Sequence, residues 1–335
     1  MTAVKRLPVV FGILFVLLII SPVLLYKYYN LLLQPVSYSS PAPRKTFVIT
    51  PGQPLVQVAA NLEKEHLIKS AFAFRLLVAQ MGISRNIQAG DFNISSDMSA
   101  KEIATFLTHG AVDVWVTLPE GLRIEEQADR IEQKLKFGAN EDYKFDKKQY
   151  IQLAKEGYMF PDTYLIPKDA TAQDVSDRFQ QTFEQKVSDT VLNKGSQYGL
   201  SQRDIIILAS LLEKEAKTSE EKPTIAGIFL NRLNAGLPLQ VDATVAYAKG
   251  YDTAQNTWWP QVTVSDYQDV KSAYNTYLHL GLPPAPIASP GLDSINAAAS
   301  PAKTDYYYYL HDDSGKIHYA KTAAEHNHNI QTYLQ

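Results

Sequence analysis

The stretch "IIILASLLEKEAK" (residues 205–217) predicts a core helix that carries acidic side chains at its end. At helical spacing, Leu208, Leu211 and Leu212 share one face, and the next position on that stripe is Glu215. A carboxyl group that faces an apolar wall is desolvated, which raises its pKa. Such a group can hold a proton near neutral pH, as a general acid must.

Two other interpretations of this helix remain open. Glu215 could simply end the buried stripe and point to water, where Arg232 could pair with it, and the helix taken alone favours this reading. Glu213 lies farther round the helix and is kept as a reserve candidate for the catalytic acid.

Two later segments supply polar and aromatic side chains that suit a sugar-binding cleft. "LPLQVDATVAY", interpreted as a strand and loop, contains Gln240 and Asp242, and "AYNTY" contains Tyr274, Asn275 and Tyr277 before the proline-rich "GLPPAPI". Sugars present dense hydroxyl groups and apolar ring faces, which amides, carboxylates and flat aromatic rings on stiff loops can bind.

Each of these residues also has a purely structural interpretation. Asp242 could cap the following helix, Asn275 could hold a turn, and the tyrosines could only pack. The run of four tyrosines at 306–309 is typical of a strand, because aromatic side chains favour pleated surfaces.

The sequence gives little support for a metal site or for a serine nucleophile. His326 and His328 in "EHNHN" are two residues apart, which does not place both on one helical face, and the segment is interpreted as a solvated turn. Ser210 has no nearby histidine and does not lie on a strand-turn-helix elbow. The sequence therefore predicts neither a metal nor another cofactor.

Composition excludes several classes of function. The chain has 335 residues with 32 basic and 35 acidic side chains, so it lacks the basic footprint of a nucleic-acid-binding protein. It has no cysteine, which excludes disulfides, thiolate metal sites and cysteine nucleophiles.

The N-terminal segment predicts a membrane anchor. Residues 7–26 carry no charge, and about 20 apolar residues span a bilayer core. A signal peptide would have a shorter apolar run and a small-residue cleavage site. Lys5 and Arg6 precede the span and favour an N-terminus inside and a body outside the plasma membrane.

The rest of the chain divides into a linker and two α+β parts. Residues 1–30 comprise a short cytoplasmic stub and the anchor, and the Ser/Pro-rich residues 31–45 are expected to form a linker. Residues 46–115 show a strand-helix-helix-strand-helix order, and residues 116–335 form a larger α+β domain.

Several ordered motifs resemble those of the YceG-like endolytic murein transglycosylases. They are "LPEG" (118–121), "FPDTY" (160–164), "ILASLLEKEAK", "IAGIFLNRL", "GLPLQVDATVAY", "AYNTYLHLGLPPAPIASPG", "SINAAASPAKTDYYYYL" and "HNHNIQTYL". The resemblance extends from about residue 45 to the C-terminus and includes the N-terminal anchor.

The resemblance implies a membrane-anchored wall enzyme with a LysM-like subdomain at 46–115. It implies cleavage of the bond between N-acetylmuramic acid and N-acetylglucosamine inside glycan strands, with a 1,6-anhydro end and termination of strand growth. By motif, the catalytic glutamate falls on Glu215, and Gln240, Asp242, Tyr274 and Asn275 fall in motifs that surround the cleft.

This chain departs from the family pattern near the acid. Ala216 stands where the family usually has Thr or Ser, and Val241 and Ala243 stand where a polar residue and a proline are common. A hydroxyl group that orients the carboxyl of Glu215 must therefore come from elsewhere.

Two rival functions are compatible with the same sequence. One is a hydrolytic muramidase in which Asp242 activates water. The other is a non-catalytic, peptidoglycan-binding scaffold of the wall-synthesis machinery. The family resemblance also implies peptidoglycan synthases as partners.

Overall fold

The computed structural model describes residues 21–22, 24–37, 43–108, 113–136 and 143–334. Within these ranges the chain combines helices with one four-stranded and one two-stranded sheet, which confirms the α+β class. It forms two compact units. The first comprises Met1–Val116, Lys134–Tyr143 and Tyr164–Asp169, and the second comprises Thr117–Gln133, Lys144–Thr163 and Ala170–Gln335.

The first unit is built around the four-stranded sheet, in the order β1-β2-β3-β4. Phe47 on β1 lies opposite Phe92 on β2 in an antiparallel pair, and both rings are buried in the core. The elements are α1 (residues 24–32), β1 (Arg44–Ile49), α2 (Leu55–Lys64), α3 (Ala71–Gln80), β2 (Gly90–Ser95), α4 (Ala100–Phe106), β3 (Asp113–Thr117) and β4 (Thr163–Pro167).

The predicted anchor at residues 7–26 lies largely outside the described residues, which include only 21–22 and 24–26 of it. In the described part of the chain, no helix is both long and apolar enough to cross a membrane. The expected linker at 31–45 is in part attached to the first unit, since the Leu33 carbonyl accepts from Ala100 and the Ser37 N–H donates to Ser96.

The remaining elements belong to the second unit, except for residues 134–136 of α5. They are α5 (Ile124–Lys136), α6 (Lys147–Leu153), α7 (Ala172–Lys186), α8 (Asp189–Leu192), a 3₁₀ turn (Asn193–Tyr198), α9 (Gln202–Glu215), α10 (Lys222–Asn234), α11 (Asp242–Lys249), α12 (Asp266–Asp269), α13 (Leu292–Ala299), β5 (Tyr308–His311), β6 (Ile317–Ala320) and α14 (Ala323–Tyr333).

Helix α9 is the central element of the second unit. Ser201 caps it, because its hydroxyl accepts from the Asp204 N–H while the Asp204 carboxylate accepts from the Ser201 N–H. All residues from 205 to 212 are buried, and α9 packs against α10, α11 and α13. The helix ends at Glu215, because Ala216 has extended backbone angles.

A close approach on α10 places the C-terminal hairpin. A Cβ atom on Gly227 would lie 2.1 Å from the carbonyl oxygen of Ala302, so only glycine lets the segment before β5 run this close to the helix. The Asn231 side chain donates to the carbonyls of Thr304 and Tyr306 in the same segment. These contacts bring β5 alongside α10.

Two local predictions were wrong. The stretch around Gln240 and Asp242 is not a strand, because Gln240 has a φ of 54° and Asp242 opens helix α11. Residues 325–329 do not form a turn but lie within α14, which Thr322 caps through the Glu325 N–H. The strand expected at the tyrosine run 306–309 is confirmed as β5, which begins at Tyr308 and pairs with β6.

Candidate active site

Glu215 lies at the C-terminal end of α9 and is held by two donors. The Tyr309 hydroxyl donates to its Oε2 at 2.6 Å, and the backbone N–H of Ala243 donates to the same carboxyl group. Burial raises the pKa of Glu215 to about 7, with a further increase from the charge of Asp242, and the bonds from Tyr309 and Ala243 lower it in part. The carboxyl can therefore both release and take up a proton near neutral pH.

This carboxyl opens onto a cavity of about 570 Å³. Gln240, Asp242 and Tyr277 line the same cavity, so the structure brings together four of the residues selected from the sequence. The C-terminal segment supplies another part of the wall, including Tyr309 on β5.

Asp242 is oriented by two tyrosines. Its Oδ1 accepts from the Tyr277 hydroxyl at 2.5 Å and its Oδ2 accepts from the Tyr267 hydroxyl at 3.4 Å. The two rings stack with centroids 3.9 Å apart and planes 9° from parallel. Burial and the hydrogen bond to Asp242 raise the pKa of Tyr277, which therefore keeps its proton. Asp242 thus presents a fixed carboxylate to the cavity beside Glu215.

Arg232 does not pair with Glu215 as the alternative interpretation proposed. Its guanidinium donates to the carbonyls of Pro238 and Tyr307 and to the Gln240 side chain. These bonds fix Gln240, whose backbone is in the left-handed region, at the edge of the cavity.

Tyr274 and Asn275 lie outside the wall of this cavity as far as the described residues define it. Tyr274 packs on Tyr247 with ring centroids 4.9 Å apart. Asn275 is fully buried, and its amide donates to the carbonyls of Tyr267 and Val270 while its oxygen accepts from the Tyr277 N–H. Asn275 therefore shapes the loop that carries Tyr267 and Tyr277.

Glu213 points in a different direction from Glu215. Its Oε2 accepts from the Gly291 N–H at 3.0 Å and from the Ser294 hydroxyl at 2.6 Å, and Lys222 approaches to 3.4 Å. The side chain is only 10% exposed.

Three residues of the site were not selected from the sequence. Tyr309 was interpreted only as a residue that favours a β-strand. Its hydroxyl nevertheless binds the carboxyl of Glu215, which the methyl group of Ala216 cannot do. Tyr267 completes the tyrosine pair at Asp242. His326 lines the cavity and stacks on Tyr308 at 5.2 Å. The missing hydroxyl at position 216 was the one sequence signal that pointed to a residue such as Tyr309.

Comparison with known proteins places this architecture in a family. The sequence matches the model of the YceG-like family over residues 47–332. It is 32% identical to the endolytic murein transglycosylase of Bacillus subtilis, over 92% of this chain and 90% of the relative. It is 27% identical to the endolytic murein transglycosylase of Streptococcus pneumoniae, over 86% of this chain but only 58% of that longer relative.

A solved structure shows the same fold. The crystal structure of a YceG-like protein from Listeria monocytogenes superimposes with a TM-score of 0.62 at 26% identity, covering 85% of this chain and 98% of that one. The fold is thus that of a mixed α+β protein, and in this chain a cavity that contains Glu215 and Asp242 lies at the end of a buried helix. This chain belongs to the YceG-like family.

Proposed function

We propose that this protein is a lytic transglycosylase of peptidoglycan. It cleaves the β-1,4 bond between N-acetylmuramic acid and N-acetylglucosamine inside glycan strands and leaves a 1,6-anhydro end. The observation that carries the proposal is the placement of Glu215, with a pKa raised to about 7, on the wall of a cavity that also presents Asp242, Gln240 and Tyr277. The names of the relatives from Bacillus subtilis and Streptococcus pneumoniae support the same activity.

One carboxyl group can perform both proton transfers. Protonated Glu215 donates its proton to the glycosidic oxygen as the bond to C1 breaks. The resulting carboxylate then takes the proton from the 6-hydroxyl group as that oxygen attacks C1 and closes the anhydro ring. The Tyr309 hydroxyl and the Ala243 N–H hold the carboxyl in one position through both steps.

Asp242 suits the charge that develops between these steps. Bond cleavage builds positive charge at C1 and the ring oxygen. A carboxylate held by Tyr267 and Tyr277 needs no reorientation to oppose that charge. We assign this electrostatic role to Asp242 and a hydrogen-bonding role toward sugar hydroxyls to Gln240.

The test is Glu215→Gln, assayed on purified, uncrosslinked glycan strands with mass spectrometry of the products. Gln has nearly the same shape but no acidic proton, so release of anhydro-ended fragments should fall by at least about 100-fold. The matched control is Glu220→Gln on the exposed surface, which should leave activity unchanged. Normal activity of Glu215→Gln would refute the assignment.

The same products distinguish the rival functions. A hydrolase would release reducing ends that are one water heavier than anhydro ends, and Asp242→Asn would then abolish them. A scaffold would bind glycan without releasing fragments, and Glu215→Gln would not change its behaviour.

The location and partners are part of the proposal. Residues 7–26 would anchor the protein in the plasma membrane with the catalytic domain (116–335) and the LysM-like subdomain (46–115) outside, where it could terminate new strands beside peptidoglycan synthases. The support is the uncharged run of 20 residues. Release of the full-length protein from membranes by alkaline carbonate without detergent would contradict the anchor.

A further inference from the structure

Glu213 is the centre of a second polar cluster in the second unit, where its own side chain is largely buried. It lies in the last turn of α9, two residues before Glu215. Gly291 and Ser294, which bind its Oε2, belong to the cap and first turn of α13, and Lys222 is the first residue of α10. The Glu213 carboxylate therefore links the C-terminal end of α9 to the N-terminal ends of α10 and α13.

Glu120 of the "LPEG" loop completes the cluster. A Cβ atom on Gly291 would lie 1.8 Å from Oε1 of Glu120, so the carboxyl occupies the space that a larger residue would fill. Burial raises the pKa of Glu120, and the neighbouring charge of Glu213 raises it further. These effects favour the protonated form of Glu120, whose side chain is hydrogen-bonded to Glu213.

The surroundings of Glu213 do not fit direct contact with a glycan. Its side chain is 10% exposed, and among the described residues it does not belong to the wall of the cavity beside Glu215. Its charge is balanced by Lys222, whose side chain is 7% exposed. A buried carboxylate whose hydrogen bonds and charge are all satisfied within the protein is typical of a structural role rather than of a catalytic acid.

We propose that Glu213 is a positioning residue, and that the Glu120–Glu213 pair, seated against Gly291, fixes the last turn of α9 so that Glu215 keeps its contact with Tyr309. This inference rests on the proposed function of Glu215. The helical backbone ends immediately after Glu215, and Glu213 bonds this last turn to the start of α13 through Gly291 and Ser294. Catalysis is sensitive to such placement, since a shift of about 1 Å can cost about 100-fold in rate.

The first test compares Glu213→Gln with Glu213→Ala in the full-length protein. Gln keeps an oxygen for Gly291 and Ser294, so kcat should stay within about threefold of the wild type, whereas Ala should lower kcat by about 10- to 100-fold with KM nearly unchanged. Freed from its position, Glu215 should also become better solvated, which lowers its pKa. The alkaline limb of the Glu213→Ala kcat profile should therefore move to lower pH.

A second test avoids touching Glu213 and uses a double-mutant cycle. Gly291 has a φ of −77°, which any residue adopts, so Gly291→Ala acts through its clash with Glu120. Gly291→Ala should lower kcat by about tenfold, but by less than about twofold in a Glu120→Ala background, because the clashing carboxyl is then absent. Equal costs in both backgrounds would overturn the role of Glu120.

The outcomes separate this inference from the proposed function. If Glu213→Gln is as inactive as Glu215→Gln, then Glu213 acts chemically and the positioning role is wrong. If Glu213→Ala keeps wild-type kcat and pH profile while Glu215→Gln is inactive, only the positioning role fails. If Glu215→Gln remains active, the proposed function fails first.

Discussion

At the scale of single residues, the proposed catalytic role of Glu215 depends on a balance of four contributions to its pKa. Burial and the charge of Asp242 favour the protonated form, whereas the donors Tyr309 and Ala243 favour the carboxylate. The result, a pKa of about 7, suits a group that must give up a proton and then recover one. Altering one donor should shift this balance in a known direction.

The backbone donor can be removed by Ala243→Pro. Proline lacks an N–H, and position 243 is the second residue of α11, where proline is tolerated. Loss of a bond that favours the carboxylate raises the pKa of Glu215, so the alkaline limb of the kcat profile should move to higher pH. The measurement is the pH dependence of glycan cleavage.

Ala243→Ser is the matched control, because it alters the side chain but keeps the N–H. Its pH profile should coincide with that of the wild type. An unchanged alkaline limb in a folded Ala243→Pro protein would show that this N–H does not set the pKa of Glu215.

At the scale of secondary-structure elements, the sequence predicted α9 well because its signals are local. The apolar spacing from 205 to 212 and the placement of Glu215 on that stripe follow from the helical repeat alone. Tyr309 could not be assigned in this way, since its contact with Glu215 joins residues 94 positions apart. The helical start at Asp242 was anticipated only by the alternative that Asp242 caps the following helix, because the left-handed Gln240 before it has no side-chain signature.

The capping box of α9 gives an element-scale prediction. Ser201→Ala removes the hydroxyl that accepts from the Asp204 N–H, which should lower the free energy of unfolding by about 1 kcal/mol. Urea denaturation measures this difference. Ser265 also precedes a helix, α12, but makes no capping bond, so Ser265→Ala should change stability by less than about 0.5 kcal/mol. Equal effects of the two substitutions would contradict the capping role.

At the scale of the whole molecule, another buried carboxyl with a raised pKa, that of Glu156, links stability to pH. Burial raises the pKa of Glu156 to about 8. The Ile124 N–H and the Tyr247 hydroxyl donate to its Oε2, but its buried Oε1 has no hydrogen-bond partner among the described residues. The folded state therefore holds a proton that the unfolded chain releases above the ordinary value of 4.5. The stabilisation from this proton is complete below 4.5 and is lost as pH rises through about 8.

Glu156→Gln should remove this dependence, because an amide mimics the protonated acid and stays neutral at every pH. Each pKa unit corresponds to about 1.4 kcal/mol, so the free energy of unfolding of the variant relative to wild type should rise by several kcal/mol between about pH 5 and about pH 9. Urea denaturation at both pH values measures the change, and the exposed Glu184→Gln is the control that should show none. If the difference in unfolding free energy between variant and wild type stays constant across this range, Glu156 is ionised in the folded protein. Its buried Oε1 then has a hydrogen-bond partner in solution, such as water.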